Sequence, residues 1–311
     1  MTEWLQAIDR EYLGDYILGG GGSVKFAIGP AASVRRAFDE LESMAIRREF
    51  VFIELGAAET NLNRSDHIFF DIAKHIDWEG LARNYIVSAF EKHGVSLAYY
   101  GNPIDFTAAA EPPGLDESVL RGYLRETLLQ LYQDYAMCQE FRLAMIQLCR
   151  AEVAGLENSA EAVKRWLRGE LKKVSEVKSA KLFQKIGRQN ARLMLQSLAY
   201  WMRRNGAPGL VLTIDLARCL ENVKKADRGP GYYYSSSALT EVYEMLRQLI
   251  DGSSSFEGML IAIFAPAAFL SDEKRGVDRY QALKMRIFDD VRTHGRQNVL
   301  APLVRLGEQA A

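Results

Sequence analysis

At 311 residues, with 48% hydrophobic and 25% charged residues, the chain has the make-up of a globular protein that buries one large core or two modest ones. A formal charge of −1 excludes the global basicity that marks many nucleic-acid binders. Three widely spaced cysteines, Cys138, Cys149 and Cys219, form no CxxC pair and fit a reduced, cytoplasmic setting.

Met1 to Leu18 is rich in acids and aromatics and has no apolar h-region, so no signal peptide is expected. Thr2 to Ile17 reads as a short amphipathic helix followed by a loop. Gly19 to Gly22 is either a flexible connector or a backbone that must pass close to a neighbour or ligand. Val24 to Ile28 reads as a buried strand, followed by Gly29 and a helix from about Val34 to Arg47.

That layout is the one a phosphate loop uses: strand, Gly, four residues, then Gly-Lys-Ser/Thr at a helix head. Gly29 and Ser33 fall in the frame, but Val34, Arg35 and Arg36 stand where the second Gly, the Lys and the hydroxyl belong. A β-branched Val resists the positive φ angles that curl backbone N–H groups round phosphate. An Arg is bulkier than Lys, and a guanidinium cannot bind Mg²⁺.

Phe50 to Leu55 reads as a second buried strand, which makes a βαβ unit and implies a parallel sheet. Asp66 is placed to cap a helix reaching about His75, and Trp78 to His93 forms another. His67, His75 and His93 lack the spacing of a metal set. Asn102 to Gly114 carries three prolines and reads as an exposed loop. Asp116 to Arg204 reads as nearly all helical, with breaks at Gly155, Gly169 and Gly187.

Within that region, Glu161 to Arg192 holds ten basic residues against three acidic ones. Lys164, Arg165, Arg168, Lys172, Lys173, Lys178, Lys181 and Lys185 form either a solvated face or a contact surface for nucleic acid or an acidic partner.

Gly209 to Asp215 is an apolar strand ending in an acid, the Walker B layout that brings a carboxylate to Mg²⁺. Leu216 stands where a water-activating Glu would follow, and leucine accepts no proton. Ser235 or Ser236 caps a helix running to Ile250, and Gly258 to Phe264 is a further core strand with no polar residue at its end. The most apolar run, Met259 to Leu270, is about twelve residues, too short to span a bilayer. Asp278 to Arg292 reads as a helix with Tyr280, Leu283, Ile287 and Val291 inward. Arg279 and Arg286 on it are candidates for an arginine finger or for salt bridges.

Taken together, EYLGDYILGGGGSVKFAIG, GLVLTIDLARCL, YYYSSSALTEVYEMLRQLIDG and FLSDEKRGVDRYQALKMRI resemble the ATP-binding proteins of BREX-type phage-defence islands, a P-loop group of AAA+/STAND-like ATPases. The resemblance runs from about Tyr12 to Leu306 and is strongest from Trp201 onward. It implies an α/β fold: an additional-strand, parallel-sheet P-loop core carrying a large helical insertion. The expected divisions are 1–105 and 207–311 for the core and 106–206 for the insertion.

The resemblance also implies work in a cytoplasmic complex with other defence subunits, such as a helicase or an active ATPase, as an oligomer or hetero-complex, with DNA as a further partner and no membrane. Carried over, the nucleotide site falls on Gly29, Ser33, Arg35, Arg36 and Asp215, with Asp215 the metal acid. Because the chemistry-bearing residues are replaced, the expected function is a pseudo-ATPase scaffold or regulator without cofactor. A working protein that binds ATP and Mg²⁺ through an atypical loop is the alternative.

Overall fold

The computed structural model describes residues 3–97, 110–111, 116–223, 229–288 and 298–307. The loop expected at Asn102 to Gly114 falls almost wholly outside these residues, as do Val291 and Arg292.

In chain order, the N-terminal part holds α1 (Glu3–Ala7), continued by a π-helical segment Ile8–Tyr16, then β1 (Gly22–Gly29), α2 (Ala31–Arg47), β2 (Val51–Gly56) and α3 (Ser65–Lys74). The middle holds α4 (Trp78–Glu91), β3 (Ser96–Leu97), β4 (Ala110–Glu111), α5 (Glu117–Tyr132), α6 (Gln139–Ala154), α7 (Glu157–Leu167) and α8 (Ala191–Arg204). The C-terminal part holds β5 (Leu210–Asp215), α9 (Ala217–Leu220), α10 (Ser236–Asp251), β6 (Met259–Pro266), α11 (Ala268–Ser271), α12 (Gln281–Ile287) and β7 (Leu303–Arg305). Two compact units result: Met1–Asp71 with Ala207–Ala311, and Ile72–Gly206.

The first unit is a mixed α/β layer structure around a five-stranded sheet in the order β2-β5-β6-β1-β7, with every pairing parallel. Parallel strands are covered on both faces, so they read as continuous apolar runs rather than alternations. Here β6 is buried from Met259 to Ala265, and β5 from Leu210 to Ile214.

One face packs against α1 and α2. Trp4, Phe38 and Phe264 meet there edge to face, with centroids 6.4 Å and 5.7 Å from the Phe264 ring. The other face is covered by α10 and α11, where Phe269 stacks on Phe26 at 6.0 Å and meets Tyr243 at 5.8 Å.

The four glycines Gly19 to Gly22, the last of which opens β1, make a close passage. A Cβ on Gly22 would lie 2.1 Å from the Ser253 carbonyl and 2.4 Å from that of Phe256. Gly258 N–H in turn donates to the carbonyls of Gly20 and Gly21.

The second unit is helical and closes on Trp78, Phe90, Phe141, Trp166 and Trp201, all fully buried. Asp77 caps α4 by accepting from Gly80 N–H at 2.9 Å, and Gly155 (φ 65°) ends α6 in the left-handed region.

Three expectations change. Residues 168–190 are not a continued helix: beyond α7 the chain forms a single 3₁₀ stretch, Val174–Ala180, among turns. Gly169 (φ 72°) and Lys181 (φ 61°) are both left-handed, and helix cannot propagate through them. Asp66 is not the cap of α3; it lies inside the first turn and pairs with Arg64 at 2.6 Å. The helix expected over Asp278 to Arg292 is a 3₁₀ turn, Val277–Arg279, followed by α12, in which Leu283 and Ile287 are buried as expected.

The edge strand β7 brings a buried lysine with it. Lys25, 4% exposed on β1, donates to the Leu300 carbonyl at 2.5 Å and to that of Ala301 at 3.3 Å. Its ammonium also stands 4.4 Å from the centre of the Tyr12 ring. Burial lowers its pKa from 10.5 to about 8.

Between those values the unfolded chain holds the extra proton, so stability rises with pH across this window, and the burial cost is full below about pH 8. Urea unfolding at about pH 7.5 and 9.5 should therefore favour wild type over Lys25→Met by about 1–2 kcal/mol more at the higher pH. A difference that stays constant with pH contradicts this account of Lys25.

Candidate functional site

In open parallel sheets ligands bind beyond the carboxyl ends of the strands. That edge gathers Gly56, Asp215, Pro266 and Gly29, which end β2, β5, β6 and β1. Asp215 opposes Gly56 on one side and Phe264 on the other, and Gly29 opposes Pro266. One strand, β6, lies between the strand that ends in Gly29 and the one that ends in Asp215.

The connection from β1 to α2 is Pro30 alone. The helix does not begin near Val34: Ala31, Ala32 and Ser33 form its first turn. Pro30 takes an extended φ/ψ as N-cap, and Ser33 and Val34 N–H already donate to its carbonyl. Residues that would arch round a phosphate are thus wound into helix. Val34 packs against the sheet core, while Arg35 and Arg36 point to solvent. Arg35 pairs with Asp39 at 2.9 Å and covers the Phe38 ring at 5.0 Å.

The space above this junction is filled by the chain itself. Leu306 N–H donates to the Ile28 carbonyl at 2.7 Å. A Cβ on Gly29 would stand 2.5 Å from the Leu306 carbonyl, so glycine is required here by β7. Gly307 (φ 85°) lies over Pro30 and Ser33, with its virtual Cβ 3.1 Å from the Ser33 hydroxyl. Ala31 to Ser33 thus belong to the first turn of α2, no lysine stands among Gly29 to Arg36, and Leu306 and Gly307 pack over Gly29, Pro30 and Ser33.

Asp215 does stand at the tip of β5, half-buried. Burial raises its pKa, the Ala217 N–H that it accepts at 2.8 Å opposes this, and Glu59 adds to it while Arg35 opposes. Its carboxylate therefore already accepts the first N–H of α9 in a turn closed over the N-cap residue Leu216. Glu54, on β2, is likewise raised by burial, against Arg35 and with Asp215. Among the described residues no group of three or more His, Cys, Asp or Glu could hold a metal ion.

The C-terminal signature residues build a bonding cluster around the loop after β5. Arg275 donates to the Cys219 carbonyl at 3.0 and 2.6 Å and to that of Tyr234 at 2.7 Å, while Tyr243 donates to the Arg275 carbonyl. Asp272 turns the chain beneath it by accepting from Lys274 and Arg275 N–H at 2.7 and 2.8 Å.

Tyr234 pins the loop after β2. Its hydroxyl lies 2.9 Å from the Ala57 carbonyl and 2.7 Å from that of Thr60, and accepts from Leu62 N–H at 3.0 Å. Arg218 packs on the neighbouring Tyr233 ring at 4.1 Å, and Ser235 caps α10. Ser235 is one of the two caps expected from the sequence, whereas the roles of Tyr234, Tyr233 and Arg218 were missed; their signal was the run of three tyrosines next to that serine.

Arg279 donates to the Lys274 carbonyl and the Ser236 hydroxyl, both at 2.5 Å. Arg286 pairs with Asp251, which also holds Arg247. Both arginines are engaged inside their own chain.

In the helical unit the basic segment divides. Lys164 pairs with Glu79 at 2.6 Å and Glu161 at 2.9 Å, Arg165 with Glu176 at 3.1 Å, and Arg168 approaches Glu161 at 3.9 Å. Lys172, Lys173, Lys178 and Lys181 are exposed, and Lys185 donates to the carbonyls of Leu171 and Lys172. Trp166 is core, whereas Phe183 is 69% exposed.

A family model, BREX system ATP-binding protein BrxC/D, matches residues 105–310, about two thirds of the chain. The chain belongs to this family, and so to the components of a multi-subunit phage-defence system. The match takes in Asp215, Tyr234 and Arg275 and begins well after the β1–α2 junction. No curated protein and no solved structure matches the chain. No helix among the described residues is long and apolar enough to cross a membrane.

Tyr234→Phe leaves Leu62 N–H and a buried carbonyl without a partner. It should cost about 2–3 kcal/mol in denaturant unfolding. A cost within about 0.5 kcal/mol contradicts the role given to this hydroxyl.

Proposed function

We propose that the chain is a P-loop fold that has given up nucleotide chemistry and serves its defence complex as a scaffold or regulatory subunit. Two features support the P-loop ancestry. The sheet is parallel with one additional strand between the Gly29 strand and the Asp215 strand, and Asp215 keeps the position of a metal-binding acid. The observation that carries the loss of chemistry is the one-residue junction at Pro30, roofed by Leu306 and Gly307.

A hydrolytic site needs phosphate N–H donors, a cation at the γ-phosphate, a metal hydroxyl and a base. Val34, Arg35, Arg36 and Leu216 hold those positions. On this reading Gly29, Ser33, Arg35, Arg36 and Asp215 mark descent and shape. A helical unit, Ile72–Gly206, set between the two parts of the sheet unit follows the insertion pattern of that ancestry, with a start earlier than the expected residue 106. Exposed Lys172, Lys173, Lys178, Lys181 and Lys185 supply a basic contact surface towards DNA or an acidic subunit. Arg279 and Arg286 hold the fold and do not reach into a neighbour's site.

Melting the protein with and without MgATP tests this. Ligand at a hundred times its Kd would add about 2.7 kcal/mol of stability. The expected result is no shift for wild type or Asp215→Ala. A Mg²⁺-dependent shift in wild type that Asp215→Ala abolishes overturns the reading and restores the ATP-binding alternative. For the DNA part, duplex binding by fluorescence anisotropy should be salt-dependent and fall on reversing Lys172, Lys173 and Lys178 to Glu. Wild type that shows no salt-dependent binding ends that part.

A further inference from the structure

We infer that the helical unit carries a docking groove for an acidic amphipathic helix of a protein partner. Its floor is made by two facing helices and a 3₁₀ end. Leu124, Leu128, Leu129 and Tyr132 of α5 line one wall, Leu143 and Ile146 of α6 the other, and Ser179 to Lys181 close it, around a cavity of about 660 Å³.

Leu124, Leu128 and Tyr132 recur every four positions with Leu129 beside them, so the α5 residues form a stripe along one side of the helix. That stripe is not the one α5 uses to fold, since Leu120, Thr127 and Leu131 are its buried residues. A helix apolar on two sides, with Leu129 53% and Tyr132 47% exposed, presents more hydrophobic surface than its own unit consumes.

One end of the groove is pre-organised. Arg142, 8% exposed, donates to the Tyr132 carbonyl at 2.5 Å and lies 5.8 Å from the Tyr132 ring and 4.7 Å from that of Tyr135. Tyr135 is 79% exposed and yet held over a buried cation. An aromatic fixed at a surface loses little freedom on binding, which is the property of an interface anchor.

Charge complementarity selects the occupant. Arg121, Arg125, Arg150 and Lys181 line the groove, and no acid does. Arg121 is paired with Glu117 at 2.5 Å, whereas no acid among the described residues lies within ion-pair distance of Arg125, Arg150 or Lys181. The lining from Arg121 to Tyr132 runs about 17 Å along α5, three turns of helix. An apolar trough of that length, rimmed by cations, fits a helix with apolar residues at i, i+3/i+4 and i+7 between acidic flanks. The apolar floor argues against nucleic acid, whose phosphates and sugars ask for polar donors. This assignment goes beyond the scaffold reading: it concerns only the helical unit and stands even if MgATP binds at the sheet edge.

The test selects random peptides of about 14 residues, displayed on yeast, against the full chain, with counter-selection on Leu129→Glu. The expected peptides have the apolar spacing above with Asp or Glu on both sides. Their affinity for purified protein should fall about tenfold or more with Arg125→Glu or Arg150→Glu. All three altered side chains are exposed, so circular dichroism melts should match wild type. Four outcomes overturn the inference: no peptide distinguishes wild type from Leu129→Glu; the enriched peptides are basic; the same variants abolish duplex-DNA binding while no peptide is enriched; or wild type is a dimer that Leu129→Glu makes monomeric.

Discussion

The seating of the C-terminal strand on β1 is the constraint on which the sheet edge depends. Phe26 N–H donates to the Pro302 carbonyl and Leu306 N–H to that of Ile28, both at 2.7 Å, and Lys25 reaches the carbonyls of Leu300 and Ala301. β1 is therefore held on both sides, by β6 along its whole length and by β7 over Phe26 to Ile28. This pairing fixes Gly29 as glycine and brings Gly307 over the head of α2. The carboxyl end of β1 is then a packed junction, because α2 starts one residue after the strand and the chain just after β7 lies over it.

The segment that most resembles the family is explained by the same kind of physics. Arg275, Tyr234 and Asp272 satisfy backbone groups that the loops after β2 and β5 would otherwise bury unpaired. Glu244 accepts from Arg247 and from Tyr280, which holds its carboxyl at a pKa of about 2, and Asp251 bridges Arg247 and Arg286. These groups tie α10 to α12 and to the chain below them.

Much of the sheet was legible because parallel strands must be apolar on both faces. The runs at Phe26, Phe50, Val211 and Ile261 were readable for that reason. β7 was not, since Pro302 and Arg305 break the apolar stretch Val299 to Leu306 into pieces too short to read as a strand, and its place is set by Lys25 and Ile28 from the far end of the sequence. The head of α2 was misread because the phosphate-loop frame placed a loop where Ala31, Ala32 and Ser33 have ordinary helix chemistry after Pro30.

The lysine-rich segment after α7 looked helical by composition. Its buried residues, Leu171, Val177, Ala180, Leu182 and Ile186, follow no helical period, and Gly169 and Lys181 take left-handed turns. Of the candidate site residues, the position of Asp215 at a strand end was legible, while its bond to the Ala217 N–H required the structure.

Hydrogen–deuterium exchange at the Leu306 and Phe26 amides tests the central claim most directly. With β7 seated on β1, both amides should exchange as slowly as those of β6, and MgATP should leave them unchanged. Fast exchange at Leu306 that slows on adding MgATP would mean that the strand end yields to nucleotide, and would contradict the proposed closed junction.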